Sequence, residues 1–321
     1  MDSNPVSAAA PPQAIEAVPL RHPWRWVMLG VIAVLTAMFL HMLITNKHFQ
    51  WSYIVDNAFR PPIIRGLIGT IELTVSSMVI GVSLGVLLAI MRLSPNPVLS
   101  GVAWVYVWFF RAMPRLVLAV LFGNLGILWS RLELGVPFDR QLGALFGIHD
   151  FTARFWGIRA VDLLSGFLAG MLALALSEAA YMAEIVRAGI QSVDPGQSEA
   201  AAALGMSRTL TLRRIVLPQA MRVIVPPTGN ETIAMLKDTS LVAYTPVSAE
   251  LFYQLQAVGH RDFHGFPMLI AACGWYLVLT SVLLVGQHYI ERYFSRGYNR
   301  TERAKARLRN LNAETGGIIS S

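Results

Sequence analysis

DPGQSEAAAALGMSRTLTLRRIVLPQA, residues 194–220, reads as helix, glycine turn, helix. Asp194 is a helix-capping residue type, Pro195 suits a first helical position, and Gln197 stands where a capping box places its partner. Residues 198–204 are good helix formers. Gly205 then offers the left-handed conformation that ends a helix. Ser207 caps a second short helix, which the pattern carries to Leu217 and stops at Pro218. Such a hairpin serves one of two purposes. It docks into a partner's groove, with Glu199 and the arginines making oriented contacts, or it lies on a membrane surface as an amphipathic loop. The residues alone leave both open.

The sequence on either side is apolar. Of 321 residues, 55% are hydrophobic and 14% charged, against about 45–50% and about 25% in soluble domains. That excludes an ordinary soluble domain. Residues 24–44 form an apolar run about 30 Å long as a helix, the thickness of a hydrocarbon core. It is too long for a signal peptide and no small-residue cleavage site follows it. Five further runs come at 66–93, 101–128, 161–186, 223–244 and 267–290. The one at 223–244 is the weakest, interrupted by Pro226 and Pro227. The expected organisation is a disordered tail (1–20), an N-terminal transmembrane helix (21–45), a transmembrane core (66–292) containing the polar loop 188–222, and a basic tail (293–321). No repeat is visible. Cys273, the single cysteine, lies in an apolar run and is expected as a small core residue.

Six spans put both termini on one side. The net charge of +7 tests this, because its sources cluster. Arg21 and Arg25 stand at the start of the first span. Arg187, Arg208, Arg213, Arg214 and Arg222 surround the hairpin, and seven cations from Arg292 to Arg309 fill the tail. All three groups fall on one side, which the positive-inside rule makes cytoplasmic. This accounts for the charge without nucleic acid. Arg131, Arg140, Arg154 and Arg159 lie on the other side, in a long connection expected to hold its own short helix.

Glu199-Ala200-Ala201, Gly205, Ile215, Leu217 and Pro218 match the spacing of the EAA loop of bacterial ABC importer permeases. Four other stretches resemble the polar amino-acid (histidine/glutamine permease) group: GLIGTIELTVSS from Gly66, YVWFFRAMP from Tyr106, SEAAYMAEIVRAGI from Ser177 and GNETIAMLKDTSLV from Gly229. The resemblance covers about 66–292. It implies an all-α integral membrane protein with the type I ABC importer (MetI-like) permease fold, about five core helices plus one N-terminal helix. It also implies that the hairpin seats in a cytoplasmic ABC ATPase dimer, which binds ATP and Mg. A second permease chain, identical or related, and an extracytoplasmic solute-binding protein complete the expected assembly in the bacterial inner membrane.

Charges inside a bilayer cost about 2.5–3.5 kcal/mol on insertion scales, so each needs a partner or a wet cavity. Asn230, Glu231, Lys237 and Asp238 repeat at seven residues, nearly two turns, and are expected as one polar stripe. The stripe either meets a zwitterionic solute or locks helices by ion pairs. Glu72 and Glu178 are further candidates for the pathway. Tyr181 lies one turn below Glu178, and Glu184 and Arg187 are spaced to pair. Arg111 precedes the helix-breaking Pro114 and is expected to reach the membrane edge.

None of the three lysines, Lys47, Lys237 and Lys305, stands in a phosphate-loop frame, so ATP hydrolysis is expected elsewhere. His260, Asp262 and His264 offer metal-ligand types close together, but solvated loop residues account for them, and no metal is expected. No nucleophile–base pair is recognisable. The rival reading is an ion-coupled secondary transporter using Glu178 and Glu231. It leaves the hairpin spacing unexplained.

Overall fold

The computed structural model describes residues 23–128, 131–148, 151–160, 166–245 and 247–294. The expected tail 1–20, Arg21, the start of the fourth run and the tail from 295 onward lie outside the described residues. Two compact units divide the chain after Phe49. The first holds helix α1, Pro23–Thr45, and a 3₁₀ turn, Lys47–Phe49. Large apolar side chains are exposed all round α1, Val31, Leu35 and Phe39 among them. A helix apolar on every face belongs in a bilayer.

The second unit contains α2 (Trp51–Asn57), α3 (Pro61–Arg92), α4 (Pro97–Ala112), α5 (Arg115–Leu128), α6 (Asp139–Leu145), α7 (Gly166–Gln191), α8 (Pro195–Ala203), α9 (Arg208–Thr211), α10 (Leu217–Asp238), α11 (Leu251–Arg261) and α12 (Gly265–Phe294). A helical fold is thus found as expected. The connection between the third and fourth runs carries the short α6. It also forms a two-stranded antiparallel ribbon, β1 (Arg131–Gly135) with β2 (Arg154–Arg159).

Helices α3 and α7 form the spine. Gly81 and Gly85, four apart on α3, bring the backbones together: a Cβ on Gly81 would lie 2.8 Å from Glu178 Cβ, and one on Gly85 2.5 Å from Met182 Cβ. Small residues at this spacing let membrane helices pack at backbone distance. Helix α10 packs between α7 and α12.

Three expectations change. The third run is not one straight span. Met113 is extended, as a residue before proline tends to be, and α4 and α5 meet at 103°. Pro218 does not stop a helix: α9 continues through a π-helical turn, Leu212–Val216, into α10, and Pro218 follows directly on that wider turn. Cys273 is exposed on α12 rather than in the core. Among the described residues four helices, or five counting the bent pair, are long and apolar enough to cross a membrane. Helix α10 is not one of them. It runs through Pro226 and Pro227 and carries Arg222, Glu231, Lys237 and Asp238.

At one end of the bundle, Asp262 ties the start of the unit to the α11–α12 turn. Its Oδ2 accepts from Tyr53 Oη at 2.9 Å and Arg60 Nη1 at 2.9 Å, and its Oδ1 from Arg261 Nε at 3.0 Å. These donors, Arg261 first, hold the Asp262 carboxyl down at about 2. Burial and the bond to Asp262 raise the Tyr53 phenol. The His264 ring stacks on Tyr53 at 4.0 Å. Asp262 and its neighbours therefore form a polar clasp, not loose loop residues. Among the described residues no group of His, Cys, Asp and Glu is placed to hold a metal.

Candidate functional site

The bend at Pro114 puts Arg115 at the first position of α5 and turns it into the bundle. A cation there opposes the helix dipole, so its neighbours must hold it. Arg115 Nη1 donates to Asp238 Oδ2 at 2.6 Å, and Nη2 to Glu178 Oε2 at 3.0 Å and Glu231 Oε2 at 3.4 Å. Its guanidinium also lies 4.8 Å from the centre of the Tyr181 ring, a cation–π distance. The Arg115 side chain is 12% exposed, Glu178 0%, Glu231 25% and Asp238 31%. The cluster is thus closed at Glu178 and open toward Asp238. Carboxylates outnumber the guanidinium three to one, and Glu178 Oε1 is buried with no hydrogen-bond partner.

Glu178, Glu231 and Asp238 meet in this way, but the expected four-residue stripe divides. Asn230 accepts from Gln287 Nε2 at 2.8 Å, on the α12 side, while Lys237 is exposed. Successive residues are about 100° apart on a helix, so the edges of the stripe face different neighbours. Glu72 is exposed on α3 and does not join the cluster. Arg115 itself was missed by the sequence reading, which weighed Arg111. One signal was present: Arg115 is the only ionisable residue between 112 and 130. Glu184 and Arg187 pair as expected, Nη2 to Oε2 at 2.6 Å.

The hairpin forms by its caps. Asp194 Oδ1 accepts from Gly196 N at 2.8 Å and Ser207 Oγ from Leu210 N at 3.4 Å. Gly205 has φ +74°; its N–H donates to Ala202 O at 2.9 Å, and Met206 N–H to Ala201 O at 3.0 Å. This pair of bonds is the Schellman motif. Nothing lies within 4 Å of a Cβ placed on Gly205, so backbone conformation, not space, selects glycine. Ala201 is buried, Ile215 half-buried, and Glu199, Ala200, Gly205, Leu217 and Pro218 are exposed. Leu204, 82% exposed, crowns the turn.

Residues 81–296 match the family described as binding-protein-dependent transport system inner membrane component. The chain belongs to this family. It is 45% identical over 306 residues to the arginine transport system permease protein ArgU of Corynebacterium glutamicum, covering 95% of this chain and 91% of that one. It is 36% identical over 248 residues to the glutamate/aspartate import permease protein GltK of Escherichia coli, covering 76% and 97%. A crystal structure of an amino acid ABC transporter aligns with TM-score 0.56 and 33% identity over 73% of this chain and 95% of that one. A bacterial alginate ABC transporter, 14% identical with TM-score 0.53, shares the fold alone over 85% of this chain and 99% of that one. The fold is therefore the type I ABC importer permease fold. This permease is the membrane component, and ATP hydrolysis resides in a separate subunit. The ion-coupled alternative finds no support in these relationships.

Proposed function

We propose that this permease imports amino acids. Pairs of permease chains, identical or related, would form the pathway, with a solute-binding protein delivering cargo outside and an ATPase dimer, holding ATP and Mg, docked inside. The exposed hairpin carries the proposal: α8, with Glu199, Ala200 and Leu204 outward, has the rigidity and outward surface that a partner groove needs. Capping bonds at both ends allow it to transmit a push without unravelling. ATP-driven closure of the ATPase then switches the helices between two rigid arrangements, because the ATPase contacts the two states differently. On this reading α10, packed against α7 and α12, crosses as the sixth span, and the hairpin and both termini face the cytoplasm.

Arg115, Glu178, Glu231 and Asp238 line or brace the cargo pathway. An excess of carboxylates suits a cargo with a cationic side chain, and arginine is the substrate named for ArgU. The test is ATP-dependent uptake by the complete complex in proteoliposomes, with labelled arginine, glutamate and glutamine in parallel. Arginine uptake that stops without ATP and persists with an uncoupler is the expected result. Uptake of glutamate alone overturns the cargo, and uptake without the ATPase overturns the mechanism.

A further inference from the structure

A pocket of about 540 Å³ lies between the end of α3, the exposed face of α4, and α7. Its polar walls are Arg92, Arg111 and Glu184, and its aromatic walls are Trp104, Trp108 and Tyr181. Glu184 is already occupied: Arg92 Nη2 reaches its Oε1 at 3.3 Å, and Arg187 its Oε2 at 2.6 Å. Arg111 is exposed on a membrane helix, and among the described residues it has no ion-pair partner, only the Tyr181 ring 5.5 Å away. Arg92 Nε is buried with no hydrogen-bond partner. The pocket thus has two guanidiniums for one shared carboxylate. A cation at the edge of a bilayer attracts an anion, and among the described residues Arg111 has only the more distant influence of Glu184, which Arg92 and Arg187 already pair.

We propose that this pocket binds the headgroup of an anionic phospholipid. The phosphate would accept from Arg111 and, with a small shift of its side chain, from Arg92. Trp104 and Trp108 are parallel, 6.3 Å apart, and more than half exposed. They share the outward surface of α4 with Val98, Val102 and Val105, all exposed. That surface is suited to acyl chains, and tryptophan is enriched where headgroup meets hydrocarbon. An exposed apolar and aromatic wall favours lipid over a polar cargo. Basic pockets between helices on a cytoplasmic face have this lipid chemistry. The pocket lies at the hairpin end of the bundle: Arg187, which shares Glu184, bonds Gln191, the last residue of α7, three residues before the Asp194 cap. Only the choice of the inner leaflet rests on the proposed function. The headgroup would brace Glu184 and Arg187 where α7 leads into the hairpin.

The permease–ATPase complex is placed in nanodiscs of phosphatidylcholine with or without phosphatidylglycerol. Retained lipid is counted by native mass spectrometry after detergent extraction. Phosphatidylglycerol is expected to be retained in preference to phosphatidylcholine. Loss of one charge-assisted bond in Arg111→Gln lowers retention about tenfold. Trp108→Ala keeps every charge, covers the case of a misfolded Arg111 variant, and is expected to lower retention as well. Arg222→Gln, an exposed cation on α10, leaves it unchanged. Equal loss in Arg222→Gln, or retention unchanged in Trp108→Ala and Arg111→Gln, overturns the site. Displacement by inorganic phosphate points to a free-anion site, and displacement by arginine to a cargo site; either also overturns it. Retention is read without transport, so this result and that of the uptake test are independent.

Discussion

Arg115 Nη2 lies 3.0 Å from Glu178 Oε2, and the Glu178 side chain has no exposure at all. The pair joins the first residue of α5 to the middle of α7. Replacing Arg115 by Leu strands Glu178 with no cation beside it, at a cost of about 3–5 kcal/mol. The Arg115→Leu, Glu178→Leu double variant removes the fully buried carboxylate together with its cation, leaves only the part-exposed Glu231 and Asp238 without one, and is expected to recover part of that loss. Thermal unfolding of the four proteins in one detergent measures the cycle. A double-variant loss equal to the sum of the two single losses shows that the pair is not coupled.

Gly81 permits that arrangement. Its missing Cβ would sit 2.8 Å from Glu178 Cβ, and Ala175 O is 3.3 Å away. Gly81→Val is expected to cost about 1–3 kcal/mol by overpacking and to impair transport through the displaced Glu178. Melting temperature and uptake should fall together; normal values for both would remove Gly81 from the spine.

Gly205 is constrained differently, by φ +74° with open space around it. A side chain there costs about 1–2 kcal/mol in backbone strain, more if β-branched. Gly205→Val should insert in the membrane at normal levels yet assemble poorly with the ATPase and transport less. Co-purification and uptake, each normalised to membrane protein, decide this. Normal assembly with normal uptake counts directly against the coupling role.

Asp262 predicts a pH effect. Its carboxyl is held at about 2, chiefly by Arg261 and then by Tyr53 and Arg60, against about 3.9 in an unfolded chain. A lowered folded pKa means stability that is complete above about pH 4 and lost as pH falls toward 2. Wild type should therefore melt above Asp262→Asn near neutrality, and the gap should close through that acid window. A gap that is constant down to the lowest pH at which both proteins fold would assign the effect to packing.

The hairpin was legible because its determinants are local. Asp194, Gly205 and Ser207 act on backbone groups within five residues, and the structure repeats those bonds. The prolines were misread for a related reason. A proline near a helix start and one that ends a helix look alike in sequence, and only the π turn at Leu212–Val216 separates the two for Pro218. Pro226 and Pro227 likewise stay helical, with α7 and α12 packed on either side of α10.

The sequence by itself determined the apolar spans, the helix-breaking character of Pro114 and the capped hairpin. Span length, proline sterics and capping are short-range properties that each segment carries on its own. Only the tertiary structure decided which charges meet. Arg115 lies 63 residues from Glu178, 116 from Glu231 and 123 from Asp238. The 103° bend turns it toward them, and the packing of α10 between α7 and α12 sends Glu231 and Asp238 one way and Asn230 the other. Those meetings depend on how helices rotate and pack against one another, which no single segment encodes.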